Sequence, residues 1–313
     1  MSTLTTSHAR PVPLADSERR HRFCIRVCII AAIALGVALL AYGFDYYALA
    51  RGERAYSAKH ALLKPTGMIG LRLGMLGFLL FLLVYLYPIR KRWAWLGKQG
   101  SSKHWLDFHV LLGLAAPMVI TFHSSFKFHG LAGVAYWIMV AVALSGLIGR
   151  YIYAQIPRSL NATEMSLQEA RERSAKLAHQ LSTQMILPKH EVVRLLHLPD
   201  AGQVQAVSLV SALWMMIRLD VSRPFQAWRL RRTVLGIHGG QWGLVGLWRT
   251  DSAPVEQAIA MAREQAALSK KILFLSKSQQ LFHFWHVVHR PFSYSFALLA
   301  TIHVVVALML GYY

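Results

Sequence analysis

Residues 104–129, HWLDFHVLLGLAAPMVITFHSSFKFH, carry a histidine near each end of an apolar run long enough to cross a bilayer: His109 and His123. Their separation of 14 residues is, on an α-helix, a rise of about 21 Å and a rotation roughly 40° short of four full turns. Both imidazoles therefore leave from nearly one face, at two depths. A second apolar run, residues 282–313, FHFWHVVHRPFSYSFALLATIHVVVALMLGYY, repeats the interval with His289 and His303. With 15 histidines in 313 residues, chance supplies roughly 0.7 pairs at any one chosen spacing. One pair would mean little; two pairs, each inside a spanning segment, are much harder to obtain by accident. An ionisable side chain at membrane depth is costly, which makes each of the four a candidate for function. The competing explanation is plain interhelical hydrogen bonding to polar neighbours.

An imidazole in a dry bundle must be hydrogen-bonded, charged at great cost, or bound to a metal. Tetrahedral zinc needs four protein ligands close together, and these spans lack carboxylates or thiolates at matching depth. Iron in protoporphyrin brings four equatorial nitrogens, so two axial histidines complete it, and its apolar ring suits a bundle interior. Two pairs of histidines imply two b haems, with His109, His123, His289 and His303 as the metal ligands and no catalytic residue. His286 and His289 stand three apart in WHVVHRPF and either is open as the inner ligand. The helix repeat sets His286 about 100° off the face of His303, which favours His289. Gly113, one turn from His109, Ala115, Ala116, and Gly70, Gly74 and Gly77 on the second span would let a macrocycle approach backbone, although glycine equally serves ordinary helix packing in membranes. Propionates need cations. Arg72, deep in the second span, and Lys127 suit the outer haem, and Arg150 and Arg290 the inner one. His104, His129 and His283 fall at interfaces and read as solvated or hydrogen-bonding residues.

The rest of the chain agrees with a membrane class. It is 55% hydrophobic and only 15% charged, with the apolar residues gathered into long blocks rather than amphipathic stripes. The formal charge of +20 raises the question of nucleic acid, but the basic residues flank apolar spans and no nucleic-acid fold signature accompanies them, so lipid headgroups and acidic proteins are the expected partners. Cys24 and Cys28 form neither a haem-attaching CxxCH nor a CxxC pair.

In order, residues 1–23 read as a polar cytoplasmic tail. Cys24 to Phe44 is an uncleaved first span, longer than a signal-peptide core. Met68 to Tyr87 is the second span, Trp105 to Phe122 the third, bent at Pro117, and Leu131 to Ile152 the fourth. Residues 24–153 thus hold four spans, residues 154–282 form a cytoplasmic insertion of domain size, and residues 283–313 hold the fifth span. Within the insertion, Ser166 and Glu169 suggest a helix running to about Gln184. QVQAVSLVSALWMMIRLDV and LRRTVLGIHGGQWGLVGLW suggest strands, with the glycine cluster as a turn between strands rather than a phosphate loop. A further helical pattern after Pro254 runs on towards the fifth span. The expected fold is an all-α membrane bundle of five transmembrane helices with a small α+β cytoplasmic insertion. Lysine and arginine favour the N-terminus, the loop after the second span and the insertion on the cytoplasmic side. The expected location is the inner membrane of a bacterium.

The four histidines resemble the two-haem helical core of membrane cytochromes b, including the ferric-reductase-like transmembrane family, over residues 68 to 153 and 283 to 313. The resemblance implies an electron-transfer component of a redox complex, carrying electrons across the bilayer. The sequence departs from the ferric reductases in showing no flavin and nicotinamide domain after its last span, and from quinol-oxidising cytochrome b in having no PEWY motif and fewer spans. The insertion belongs to neither pattern. Electrons are therefore expected from a redox partner subunit or a diffusible carrier, with a quinone-reactive subunit, or a transporter or scaffold without haem, as alternatives. Arg218, Arg223, Arg229, Arg231 and Arg232 in the insertion would attract an acidic partner, or anionic lipid.

Overall fold

The computed structural model describes residues 16–156, 167–184, 186–234 and 253–311. In chain order it contains α1 (Asp16–Tyr47), a 3-10 turn (Glu53–Tyr56), α2 (His60–Leu63), α3 (Met68–Arg90), α4 (Ala94–Gly97), α5 (Ser102–His123) and α6 (Gly130–Gln155). There follow α7 (Leu167–Thr183), α8 (Lys189–Leu196), α9 (Ala201–Ala206), α10 (Leu209–Val234), α11 (Ala253–Leu273) and α12 (Leu275–Met309). Five helical segments are long and apolar enough to cross a membrane: Asp16–Tyr47, His60–Arg90, Ser102–His123, Gly130–Gln155 and Leu275–Met309. All five expected spans are thus present as helices. The first begins earlier than expected, because Asp16 to Phe23, read as part of the polar tail, is already helical.

The chain divides into two compact units, Met1–Leu147 with His289–Tyr313, and Ile148–Val288. The boundaries between these units lie inside α6 and α12. Ile152 at the end of α6 and Leu281 near the start of α12 are buried in one cluster with Val204, Ala212, Met216 and Phe274, so these helix ends belong with the insertion.

In the first unit α3 and α5 pack closely, joined by Leu73, Val119 and Phe122, with Leu35, Leu39 and Tyr47 of α1 against them. The close approach depends on Gly74 and Gly77. A methyl at Gly77 would lie 2.3 Å from Ile120, and one at Gly74 would lie 2.7 Å from the His123 ring. The glycines that the sequence offered to a macrocycle are used, at these two positions, to admit α5 itself. Gly70 answers to the turn before α3, where a methyl would meet the Lys64 carbonyl at 2.1 Å. α3 meets α12 where the Tyr85 hydroxyl donates to the Ser293 carbonyl, 2.7 Å, and Phe81 packs edge-on to Phe296, 5.2 Å. Since α3 meets α5 at Gly77 with Ile120 and at Gly70 with His123, both α5 and α12 run antiparallel to α3. They are therefore parallel to each other.

Each end of α5 is held by a buried arginine bound to carbonyl groups. Beyond the C-terminus, Ser125 (φ 51°) and Phe126 (φ 61°) are left-handed, a costly conformation for side chains other than glycine. It is held by the Ser125 hydroxyl donating to Leu63 O at 2.5 Å, and by Arg54 donating to Ser125 O at 2.6 Å. Arg54 also donates to Leu49 O and Tyr47 O, at 3.1 and 2.8 Å, gathering carbonyls from the C-terminal ends of α1 and α5 and just beyond them, where helix dipoles end negative. Before α5, Arg90 donates to Gly97 O, Gly100 O and the Ser102 hydroxyl. At the N-terminal ends of α1 and α5, the His21 and His104 rings stack at 3.8 Å. His21 bonds Asp107 at 3.0 Å and His104 bonds Glu18 at 3.1 Å, so each helix supplies one imidazole and one carboxylate to the other.

The second unit is helical throughout its described residues, which corrects the expectation of strands. QVQAVSLVSALWMMIRLDV lies in α9 and α10: Asp200 caps α9 by accepting from Gly202 N, and the Ser208 hydroxyl accepts from Ser211 N at the start of α10. Buried Ala212, Met216, Arg223, Ala227 and Leu230 recur at helical intervals, and this period overrides the local β-favouring pairs. The glycine cluster from Gly236 onward lies outside the described residues. The expected helix from Ser166 is α7. The pattern after Pro254 is α11, which stops at Leu273 one residue short of α12. Leu181, Leu187, Leu195, Ala227, Ile259 and Ala262 form the core between α7, α8, α10 and α11.

A polar cluster crosses this unit. Asp220 accepts from the Tyr151 hydroxyl at 2.7 Å and from Arg223 at 3.3 Å, and binds the Lys270 ammonium. Lys270 is 2% exposed; burial pulls its proton affinity below the ordinary lysine range, and Asp220 opposes that pull. Arg231 is paired with Glu256 at 2.6 Å.

Two outcomes follow from these contacts. Arg54→Met strands three carbonyls and lowers stability by about 3 kcal/mol, read by thermal unfolding of the purified protein in detergent. Asp220→Asn leaves Lys270 without its carboxylate and costs about 3 kcal/mol near neutral pH. Lys270 holds its proton less tightly folded than unfolded, so the unfolded state binds more protons and stability rises with pH towards the ordinary lysine range. The Asp220→Asn deficit therefore shrinks in alkaline buffer; a deficit that does not change with pH would show that Lys270 is not its source.

Candidate functional site

His109 and His123 present their rings from α5 to the backbone of α3. His109 Nδ1 lies 2.9 Å from Val84 O, and His123 Nδ1 lies 2.8 Å from Gly70 O. A carbonyl oxygen only accepts, so each Nδ1 carries the proton and each Nε2 keeps its lone pair. The two acceptors are themselves 14 residues apart. The interval that the sequence shows on two helices thus exists on a third, as backbone oxygen.

On α12, His289 Nδ1 lies 2.7 Å from the Ser145 hydroxyl of α6. The Ser145 hydroxyl also lies 2.8 Å from Val142 O, to which it can donate. Ser145 is nine residues beyond Tyr136, whose hydroxyl bonds Thr121 of α5 at 2.8 Å. Counting back along the antiparallel helices brings Ser145 opposite residue 112, within about one turn of His109. His303 lies within electrostatic range of His123 and is exposed. His286 bonds the Phe282 carbonyl of its own helix at 3.0 Å and packs against Phe282 and Trp285.

The remaining expected residues divide. Gly113 faces open space, with nothing within 4 Å of an added methyl. Arg72, Lys127 and Arg290 are exposed on α3, beyond α5 and on α12, and no ion pair joins them to a carboxylate among the described residues. Arg150 belongs to the second unit, where its guanidinium lies 5.9 Å from the Tyr153 ring. His104 is bonded to Glu18, while His129 and His283 are exposed.

Several contributors had no signature in the sequence. The acceptors Val84 O and Gly70 O are backbone atoms, which residue identity does not reveal. Tyr87, whose ring packs 5.2 Å from His109, resembles any interfacial tyrosine. Ser145, a hydroxyl in an otherwise apolar stretch of the fourth span, is the one that polarity alone would have flagged. The five-arginine patch also separates: Arg223 and Arg231 turn inward to Asp220 and Glu256, so Arg218, Arg229 and Arg232 remain at the surface.

Among the described residues no group of three or more His, Cys, Asp and Glu is placed to hold a metal ion. A metal held by protein ligands alone would need such a group, whereas an iron already carrying four ring nitrogens needs two ligands. Comparison with known proteins finds no matching family model, no similar curated protein and no similar solved structure.

Proposed function

We propose that this chain carries electrons across a membrane through two b haems, one held by His109 and His289 and the other by His123 and His303. The supporting observation is the protonation pattern: His109 and His123 both spend Nδ1–H on carbonyl oxygens of α3 and so present the nitrogen that a metal ligand uses. Hydrogen bonds of this kind fix ring orientation and raise ligand basicity. The parallel course of α5 and α12 puts like ends together, and His303 is the electrostatic neighbour of His123. Haem supplies a one-electron iron couple. The chain's own part is to orient His109 and His123 on the carbonyls of α3 and His289 against Ser145, to leave space at Gly113, and to exclude water with apolar helices. Within each helix the two histidines rise about 21 Å from one to the other, against a hydrocarbon core of about 30 Å.

The same reading places the protein in the inner membrane of a bacterium, N-terminus in the cytoplasm, as an electron-transfer component fed by a redox partner subunit or a diffusible carrier. The basic tail and the basic loop after the second span support that orientation.

Purified protein is expected to give a b-type pyridine haemochrome spectrum with two haems per chain. His109→Ala and His289→Ala should each remove the same haem, and His123→Ala and His303→Ala the other. Absence of haem would leave a transporter or scaffold, and losses grouped by helix would overturn the pairing. Reduction by a lipophilic quinol would extend the reading to quinone exchange. Ser145→Ala removes the hydroxyl bonded to His289 Nδ1 and should weaken retention of the His109/His289 haem by about 10- to 100-fold, measured by haem transfer to an apoprotein acceptor, with the other haem unchanged.

A further inference from the structure

The helix α10 has two unlike faces. Ala212, Met216, Ala227 and Leu230 are each at most 1% exposed and fill the cores of the second unit. On the other side Val210, Trp214, Val221 and Phe225 are 77%, 67%, 72% and 70% exposed. Arg218, Arg229 and Arg232 share that side. By the helical repeat, these seven positions fall within an arc of about 100° and extend over about 33 Å. Solvent-facing helices of soluble domains do not concentrate large apolar side chains in this way.

The charge on this face has one sign. Asp220, the only acidic residue of α10, is turned inward to Tyr151, Arg223 and Lys270. Arg218 and Arg232 have no carboxylate at ion-pair distance among the described residues, and Arg229 reaches Glu191 only at 3.9 Å. Arg232 lies over the Trp228 ring, 5.0 Å from its centroid, the combination of cation and aromatic suited to a headgroup layer. The two stretches that join this unit to the remainder of the chain are α6 and α12, both of membrane-crossing length. A bilayer surface is therefore always within reach of the unit.

We propose that the outward face of α10 docks on the anionic surface of the bilayer, with Trp214, Val221 and Phe225 entering the interface and Arg218, Arg229 and Arg232 binding lipid phosphates. The apolar residues supply the partition energy and the arginines select acidic headgroups. Haem plays no part in this surface.

The test uses the full chain in lipid nanodiscs, with the exposed Cys24 and Cys28 replaced by serine. A fluorophore is placed at Phe225→Cys or, as control, at Ala178→Cys on the exposed side of α7. In discs containing phosphatidylglycerol, the Phe225→Cys label should be quenched by doxyl-labelled lipid and shielded from iodide, while the Ala178→Cys label stays open to iodide. Replacing Arg218, Arg229 and Arg232 together by glutamine, or using phosphatidylcholine alone, should shift the docking equilibrium on the order of 100-fold towards the undocked state. A Phe225→Cys label open to iodide in phosphatidylglycerol discs overturns the proposal. So does a label shielded from iodide but untouched by lipid quencher, which would mean that protein, whether a second copy or another partner, covers the face.

Discussion

The approach of α5 to α3 is the constraint on which the first unit depends. An imidazole inside a membrane-length bundle needs a partner for its N–H, because hydrocarbon offers none. Here the partners are carbonyls of a neighbouring helix, at Gly70 and Val84. At the His123 level the approach requires Gly74, where the ring lies 2.7 Å from the place a Cβ would take. Packing and protonation are thereby one event: the distance that fills the interface also decides which ring nitrogen keeps its lone pair.

The ends of α5 show the same accounting of polar groups. Helix termini leave carbonyls unpaired, and the reversals at both ends of this helix bring several together. Arg54 and Arg90, each with several donors in a planar fork, satisfy those carbonyls without a carboxylate. A guanidinium suits this task better than an ammonium, being more weakly hydrated and fixed in geometry. The left-handed pair Ser125 and Phe126 persists because Arg54 and the Ser125 hydroxyl hold it, directly after His123.

In the second unit charge is sorted by face. Arg223 and Arg231 lie near Arg218, Arg229 and Arg232 in sequence, yet the first two are buried with acidic partners and the last three are outside. A rotation of about 100° per residue is enough to make neighbours in sequence into opposites in environment. Counting basic residues along the chain therefore overstates the charge available to any partner, and the exposed apolar side chains between the outer arginines alter what kind of partner that face can meet.

The sequence by itself determined the five membrane-length helices, because a span is a property of length and local hydropathy, and it determined the 14-residue interval, because helical rise turns spacing directly into depth. It misread α9 and α10 as strands, since short apolar runs carry both periods and only burial of Ala212, Met216, Ala227 and Leu230 together chooses the longer one. Other features were decided by tertiary structure alone: the tautomers of His109 and His123, the inward turn of Arg223 and Arg231, and the use of Gly74 and Gly77 to admit a helix. The reason is common to all of them. Each depends on which atoms of a distant segment arrive alongside, and several of those atoms are backbone carbonyls, which every residue possesses and which no residue name distinguishes.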